Sequence, residues 1–188
     1  MVPLRLLLAL ILALCAAPLA VRAQTPADAF FASLTRLCGQ TFLGVVVEGD
    51  PTADAAMRQA RLTMTVADCA ADEIRIPFRV GEDRSRTWVV TRLPGGRLRL
   101  KHDHRHADGS EDEVSQYGGD TAGPGAPDLQ RFPADAYSIA MFTRTGRTVS
   151  NTNVWSLGLT PDVFTYELAR PGRLFRVAFD LTRPAPTP

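Results

Sequence analysis

Alternation of apolar and polar side chains over short stretches is the clearest pattern in this chain. Between residues 74 and 80 every even-numbered residue is apolar, and arginines and a proline lie between them. A period of two is typical of a β-strand that buries one face. By the same reasoning the sequence predicts ten strands, at 41–48, 62–66, 74–80, 87–93, 97–106, 111–117, 138–144, 154–159, 164–168 and 173–182.

One amphipathic helix is predicted before the strands. Four apolar residues recur at helical spacing over 26–37, a proline stands in the first turn, and Gly39 follows the end. The links at 94–96 and 108–109 are too short for crossover helices, so successive strands are expected to be antiparallel. The segment 118–133 is rich in Gly, Pro and Asp and is predicted to be a surface loop.

These elements favour a mainly β fold: a single antiparallel up-and-down β-barrel of about 8–10 strands with a short N-terminal helix, spanning 24–182. Closure removes the exposed edges of an open sheet. The last strand alternates strongly, so we expect it to pair with the first. A β-sandwich is the main rival. At the level of fold, the barrel with its helix resembles the calycins (lipocalins and fatty-acid-binding proteins), although the Gly-x-Trp motif of lipocalins is absent near residue 42. The proline-rich tail, 183–188, is expected to be disordered.

The first 23 residues predict a secretory signal peptide. They combine an early arginine, an apolar run and small residues just before Gln24. The run is shorter than a typical membrane span, and no later stretch is long and apolar enough to cross a bilayer. We therefore expect an exported protein, periplasmic or secreted, with no transmembrane span in its mature form.

Two cysteines, Cys38 and Cys69, remain after cleavage at that point. In an exported chain, an isolated pair is most simply a disulfide. Two free thiols, or half of a metal site, are the alternatives. Neither cysteine has a Cys or His close to it in sequence, which favours the disulfide.

Charge argues against a polyanionic partner. The full chain of 188 residues has a net charge of +1. Residues 1–23 contain two arginines and no acidic residue, so without them the net charge is about −1. Such a balance of charge does not favour nucleic acid as a partner. We also expect the protein to be a monomer.

All three histidines lie in one predicted strand, at positions 102, 104 and 106. Strand periodicity puts His102, His104 and His106 on one face with Leu98 and Leu100. The opposite face carries only charged residues and is expected to face solvent. The histidines are therefore expected to lie inside, near one end of the barrel.

A two-residue turn at 108–109 would bring carboxylates to the same inner surface. It pairs His106 with Glu111, His104 with Glu113 and His102 with Ser115, and it places Tyr117 opposite Leu100. A longer turn would shift this register and change which acids point inward.

This row of side chains predicts a ligand-binding site formed by His102, His104, His106, Glu111, Glu113 and Tyr117. A non-metal polar cluster is the favoured interpretation. The alternative is a divalent metal such as zinc held by His102, His104, His106 and Glu113. Four aromatic residues are expected to line the core or lumen: Trp88, Tyr117, Trp155 and Tyr166. The charged residues of 81–86 are expected to form a solvated loop.

The segment 74–119 resembles the most distinctive stretch of a family of uncharacterised bacterial secreted proteins, and the similarity extends over 153–155 and the last strand. That resemblance implies an exported bacterial protein and assigns no activity. We expect a barrel that binds a small, partly apolar or lipid-like molecule in its lumen, with the His–Glu cluster orienting the polar end. A metal-binding protein or metal-dependent enzyme is one alternative, and a structural envelope protein without a ligand is another. A non-enzymatic role is favoured, because no motif singles out a nucleophile.

Overall fold

The computed structural model describes residues 24–186, so the predicted signal peptide at 1–23 and the last two residues of the chain lie outside it. The described part is mainly β. It contains three α-helices, α1 (Pro26–Thr35), α2 (Ala55–Gln59) and α3 (Ala136–Arg144), and a 3-10 helix, Thr148–Thr152. The strands are β1 (Thr41–Glu48), β2 (Leu62–Thr65), β3 (Ala67–Cys69), β4 (Glu73–Val80), β5 (Asp83–Leu93), β6 (Arg97–His104), β7 (Tyr117–Asp120), β8 (Leu129–Pro133), β9 (Val154–Leu159), β10 (Val163–Arg170) and β11 (Arg173–Asp180).

All the strand pairs are antiparallel, and together they form a nearly closed barrel. The order around the sheet is β7-β6-β5-β4-β2-β1-β11-β10-β9-β8, with β3 also pairing with β4. The predicted pairing of the last strand with the first is confirmed, with Val46 opposite Val177. The predicted fold class is therefore correct, and the arrangement is compatible with a calycin-like architecture.

The sheet stops short of full closure between β7 and β8, where the start of α3 covers the free edge of β7. The backbone N–H of Gly118 donates to Ser138 Oγ at 2.8 Å, and the Gly118 carbonyl accepts from Ser138 Oγ and from the Asp135 N–H. The edge groups that would otherwise lack a strand partner are thereby satisfied. Only glycine fits at 119, because a Cβ there would lie 1.9 Å from the Pro133 carbonyl oxygen.

Helix α1 closes one end of the barrel. Thr25 and Asp28 form a capping box at its start, which satisfies backbone donors of the first turn. Its apolar face, with Phe30, Phe31 and Leu34, is buried in the core. The helix begins where the sequence predicts and ends two residues earlier.

Inward-facing residues of the strands fill the middle of the barrel. Burial alternates along β4 and along β11, as their sequence pattern predicts. Two large aromatic side chains, Phe42 and Phe179, are fully buried there. Burial of such side chains is the main stabilising contribution to a fold of this kind.

The predicted strand at 138–144 is wrong, because these residues belong to α3. The Asp135 side chain accepts a hydrogen bond from the Ser138 N–H and caps the helix. Ser138, Met141 and Phe142 are the buried residues, at helical spacing. In so short a segment the apolar positions fit both the period of a strand and the period of a helix, so the sequence pattern could not distinguish the two.

The predicted loop at 118–133 is also partly wrong, because it contains most of β7 and all of β8. In β8, Gln130 and Phe132 are buried and alternate with exposed or half-buried neighbours. The glycines and prolines on either side of β8 are typical of loops, so the sequence did not indicate this short strand. The irregular chain between β7 and β8 agrees with the predicted loop.

Residues 183–186 belong to the predicted disordered tail, and the structure describes them beside β1. The Ala185 N–H donates to the Thr41 carbonyl at 2.7 Å. Arg183 pairs with Asp180 at the end of β11. Between residues 24 and 186, no helix has both the length and the apolar character needed to cross a bilayer.

The predicted disulfide between Cys38 and Cys69 is confirmed, with a Cα–Cα distance of 6.3 Å. It connects the segment after α1 to β3, across a sequence separation of 31 residues. A disulfide is compatible with an exported protein.

Replacing both cysteines by alanine is expected to lower the free energy of unfolding by about 3 to 4 kcal/mol, because the unfolded chain regains the entropy of a 31-residue loop. Urea denaturation followed by circular dichroism measures the change. Reduction of the wild-type protein should cause the same loss. If the reduced and oxidised proteins unfold at the same urea concentration, the prediction is wrong.

Candidate functional site

A cavity of about 300 Å³ lies at the end of the barrel opposite α1. The turn before β6 lies against the start of α1, with Gly96 close to Thr25, whereas the cavity adjoins the other end of β6, at His102 and His104. The cavity is open to solvent at this end. Residues of β4, β5, β6, β7, β9, β10 and β11 line it, together with residues of α2, α3 and the 3-10 helix.

Five ring side chains form what we call the aromatic floor of the cavity: Trp88, His102, Tyr117, Trp155 and Tyr166. Trp88 and Tyr166 are stacked, with ring centroids 4.3 Å apart and planes inclined by 7°. His102 and Tyr117 are stacked at 4.5 Å. The four aromatic residues predicted to line the core or lumen therefore do so.

His102 is the buried centre of this floor, with 2% of its surface exposed. Burial lowers the pKa of its imidazole to about 3, so the ring is neutral near pH 7. Its Nδ1 lies 3.0 Å from the Tyr117 carbonyl oxygen, which can only accept, so Nδ1 carries the proton. Nε2 then accepts a hydrogen bond from the Tyr166 hydroxyl at 2.9 Å. Both ring nitrogens are used.

His104 and Tyr117 form a second polar pair, with His104 Nε2 and Tyr117 Oη 3.0 Å apart. Burial lowers the pKa of His104 and raises the pKa of Tyr117 to about 12. The neutral pair holds two protons, one on the imidazole and one on the hydroxyl, and the hydrogen bond between them uses one. The other donor has no further protein partner within residues 24–186 and belongs to a pair that lines the cavity.

Four arginines also line the cavity, and we call them the arginine rim: Arg86, Arg147, Arg170 and Arg173. Arg173 makes a two-pronged ion pair with Asp54, at 2.5 and 2.6 Å. This ion pair lowers the pKa of the Asp54 carboxyl. Arg86 is paired with Asp83.

Arg147 and Arg170 differ from the other two, because neither forms an ion pair with a carboxylate in the described part of the chain. Arg170 Nη1 donates to the buried Asn153 Oδ1 at 3.1 Å, and Arg147 Nη1 donates to the Thr145 carbonyl at 2.9 Å. Each guanidinium thus donates to one neutral oxygen, which does not offset its positive charge.

The predicted ligand-binding residues divide into two groups. His102, His104 and Tyr117 lie together at the cavity. The other three are exposed and do not line it: His106, Glu111 and Glu113. Glu111 instead lies within hydrogen-bonding distance of Arg105 and Gln116 on the outside of the barrel.

The predicted register beyond the 108–109 turn is wrong, because the turn is one residue longer than predicted. The His106 N–H donates to the Ser110 carbonyl and Arg105 is bridged to Glu111, so the loop spans 107–109 and the one-residue shift places Glu111 and Glu113 on the outer face. The segment then bulges, because the N–H groups of Asp112 and Gln116, four residues apart, donate to the carbonyls of His104 and His102, two residues apart. Tyr117, rather than Ser115, therefore pairs with His102, and residues 111–116 do not form the predicted strand.

The bulged segment also buries Asp103, which the sequence had predicted to face solvent. Asp103 is 5% exposed. Its carboxylate accepts hydrogen bonds from Arg75 at 2.7 Å, from Arg105 at 2.7 Å and from Gln116 at 3.0 Å. These donors compensate the cost of burying the charge.

Sequence reasoning missed the arginine rim. The sequence pattern places Arg86 in a predicted solvated loop and assigns the other three arginines no role in a binding site. A signal existed for three of them, because Arg86, Arg170 and Arg173 each lie an even number of residues from an inward-facing aromatic residue of the same strand. Arg147 lies between α3 and the 3-10 helix, where strand parity gives no guide.

The structure does not bring the predicted metal ligands together. Within residues 24–186, no group of three His, Cys, Asp or Glu side chains is arranged to hold a metal ion. Metal binding stays a prediction. Comparisons of the chain with protein-family models, with curated proteins and with solved structures found no match.

The neutral, buried state of His102 predicts an acid-sensitive fold. The unfolded histidine binds a proton below pH 6.5, whereas the folded one resists protonation until about pH 3. The stability that neutral His102 contributes is therefore fully present above pH 6.5. As the pH falls from 7.5 to 5, the free energy of unfolding is expected to decrease by about 2 kcal/mol through this residue. Urea denaturation at several pH values measures this slope.

His102→Gln is expected to reduce the slope, because an amide can make both hydrogen bonds without titrating in this range, whereas the buried His104 keeps a contribution of its own. His106→Gln is the matched control, since His106 is exposed, and it should keep the wild-type slope. An unchanged slope in the His102 variant would contradict the assignment.

Proposed function

We propose that this protein binds a small, partly apolar molecule in the cavity at the open end of its barrel. The observation that carries the proposal is the aromatic floor: apolar ring faces lie at the bottom of an opening that solvent can enter. Concave sites lined mainly by apolar side chains with a few polar groups are typical of small-molecule binding.

The size of the cavity supports a small ligand. Its volume of about 300 Å³ is at the lower end of the range for such sites, which is about 300 to 1,000 Å³. Burial of an apolar ligand against the rings would gain about 25 cal/mol for each Å² removed from water. The network of His102, Tyr117 and Tyr166 holds the floor in place before a ligand arrives.

The proposed setting is an exported compartment, periplasmic or extracellular. The Cys38–Cys69 disulfide supports it, because such bonds persist in oxidising surroundings. We propose a role in holding or carrying a ligand there.

Titration with N-phenyl-1-naphthylamine, a neutral aromatic probe that fluoresces in apolar surroundings, tests this function. We expect saturable binding of one probe per chain. Both tryptophans of the chain, Trp88 and Trp155, line the cavity, so the probe should also quench the intrinsic fluorescence.

A pair of matched substitutions on neighbouring strands locates the site. Leu168 lines the cavity, whereas Leu174 is 41% exposed on the outside of the barrel. Leu168→Trp should reduce the affinity for the probe at least tenfold by filling the cavity, and Leu174→Trp should leave it unchanged. The probe is excited directly, so that the added tryptophan does not interfere. Absence of saturable binding, or equal affinity in both variants, would refute the proposal.

A further inference from the structure

The cavity has two chemically different ends. Its floor consists of stacked rings, among which both ring nitrogens of His102 already have hydrogen-bond partners, and its opening carries the arginine rim. Four arginines and a single carboxylate, that of Asp54, line the cavity. The two histidines among the lining residues are both neutral near pH 7, since burial lowers the pKa of each. The excess of positive charge therefore lies at the opening.

Only two of these arginines have a compensating carboxylate. Arg173 is paired with Asp54, and Arg86 with Asp83. Arg147 and Arg170 have none within residues 24–186. An arginine cannot lose its proton to relieve an uncompensated charge, so the charge persists whatever the pH of the medium.

Both uncompensated guanidinium groups donate one hydrogen bond to the protein. Arg170 is half-buried and is held through Nη1 by Asn153, which is itself 4% exposed. Arg147 is exposed, and its Nη1 donates to the Thr145 carbonyl. Each has four further N–H groups with no hydrogen-bond partner within residues 24–186, and such a planar fork matches the two oxygens of a carboxylate or the oxygens of a sulfonate or phosphate.

The floor, by contrast, cannot receive an anionic group. Both nitrogens of His102 are already hydrogen-bonded, and the Tyr166 hydroxyl donates its hydrogen bond to His102. The single remaining donor of the His104–Tyr117 pair is neutral. An anion placed there would lose its hydration, and the cation beside these rings, Arg86, is already paired with Asp83.

We propose that the ligand is an organic anion, whose apolar body lies on the aromatic floor and whose carboxylate, sulfonate or phosphate group is bound at the opening by Arg147 and Arg170. This inference rests on the proposed function and adds the chemical class and the orientation of the ligand. It reverses the orientation expected from the sequence, in which the polar end pointed toward the histidines.

Two probes with the same skeleton test the charge alone. N-phenyl-1-naphthylamine is neutral, and 1-anilinonaphthalene-8-sulfonate adds one sulfonate to it. Both fluoresce in apolar surroundings, so both dissociation constants come from the same measurement on the full mature chain. We expect the double variant Arg147→Gln/Arg170→Gln to bind the sulfonate probe at least tenfold more weakly and the neutral probe within twofold of wild type. Raising the salt concentration should weaken only the sulfonate probe.

Arg97→Gln is the matched control for the loss of a positive charge. Arg97 is exposed at the start of β6, at the α1 end of the barrel, so its replacement should change neither affinity. Leu168→Trp should reduce the binding of both probes, which separates the cavity from other cationic surfaces that attract sulfonates.

The possible results separate this inference from the proposed function. If the neutral probe binds in the cavity but the double variant binds both probes as wild type does, the anion site is wrong and the proposed function stands. Equal weakening of both probes would also overturn the anion site, because the arginines would then only shape the cavity. If neither probe binds the wild-type protein, the proposed function fails and this inference fails with it.

Discussion

Burial leaves the imidazole of His102 neutral, and its two nitrogens join β6 to the neighbouring β7 and, across the lumen, to β10. The direction of each hydrogen bond follows, because a carbonyl can only accept. Both ring nitrogens of His102 are therefore already engaged within the protein. In the proposed function, recognition of the ligand's charged group falls to the arginines at the opening, and this division between floor and opening underlies the proposed class of ligand.

Strand periodicity accounts for most of what the sequence predicted correctly. The bounds of β1 and β9 agree with the predicted strands, and the pairing of β11 with β1 follows from the strong alternation of the last strand. On β6, Leu98, Leu100 and His102 are buried as parity requires. The isolated pair of cysteines was likewise sufficient for the disulfide, because few other uses of such a pair suit an exported chain.

Irregular backbone accounts for what the sequence did not predict. The two extra residues before Tyr117 depend on a positive φ of 57° at Gln116, which no local pattern indicates in a residue other than glycine. The bulge covers Asp103, and the three-residue turn at 107–109 places Glu113 outside, so the composition of the inner surface changes. The arginine rim was missed for a different reason. Charged residues near strand ends are usually solvated, and only the three-dimensional arrangement separates paired from unpaired guanidinium groups.

The first and last strands, β1 and β11, meet in the middle of the sheet, whereas the gap in the barrel lies between β7 and β8, which follow each other in sequence. Val46 and Val177 pair across about 130 intervening residues. Bringing such distant segments together costs more chain entropy than any hairpin of the meander. During synthesis, one edge of β1 stays unpaired until β11 has been made. The outward-facing side chains of β1, Leu43, Val45 and Val47, are exposed even in the folded protein. The nascent chain therefore presents a long apolar strand with a free edge until β11 has been synthesised, which makes assistance by a chaperone valuable for a protein of this topology.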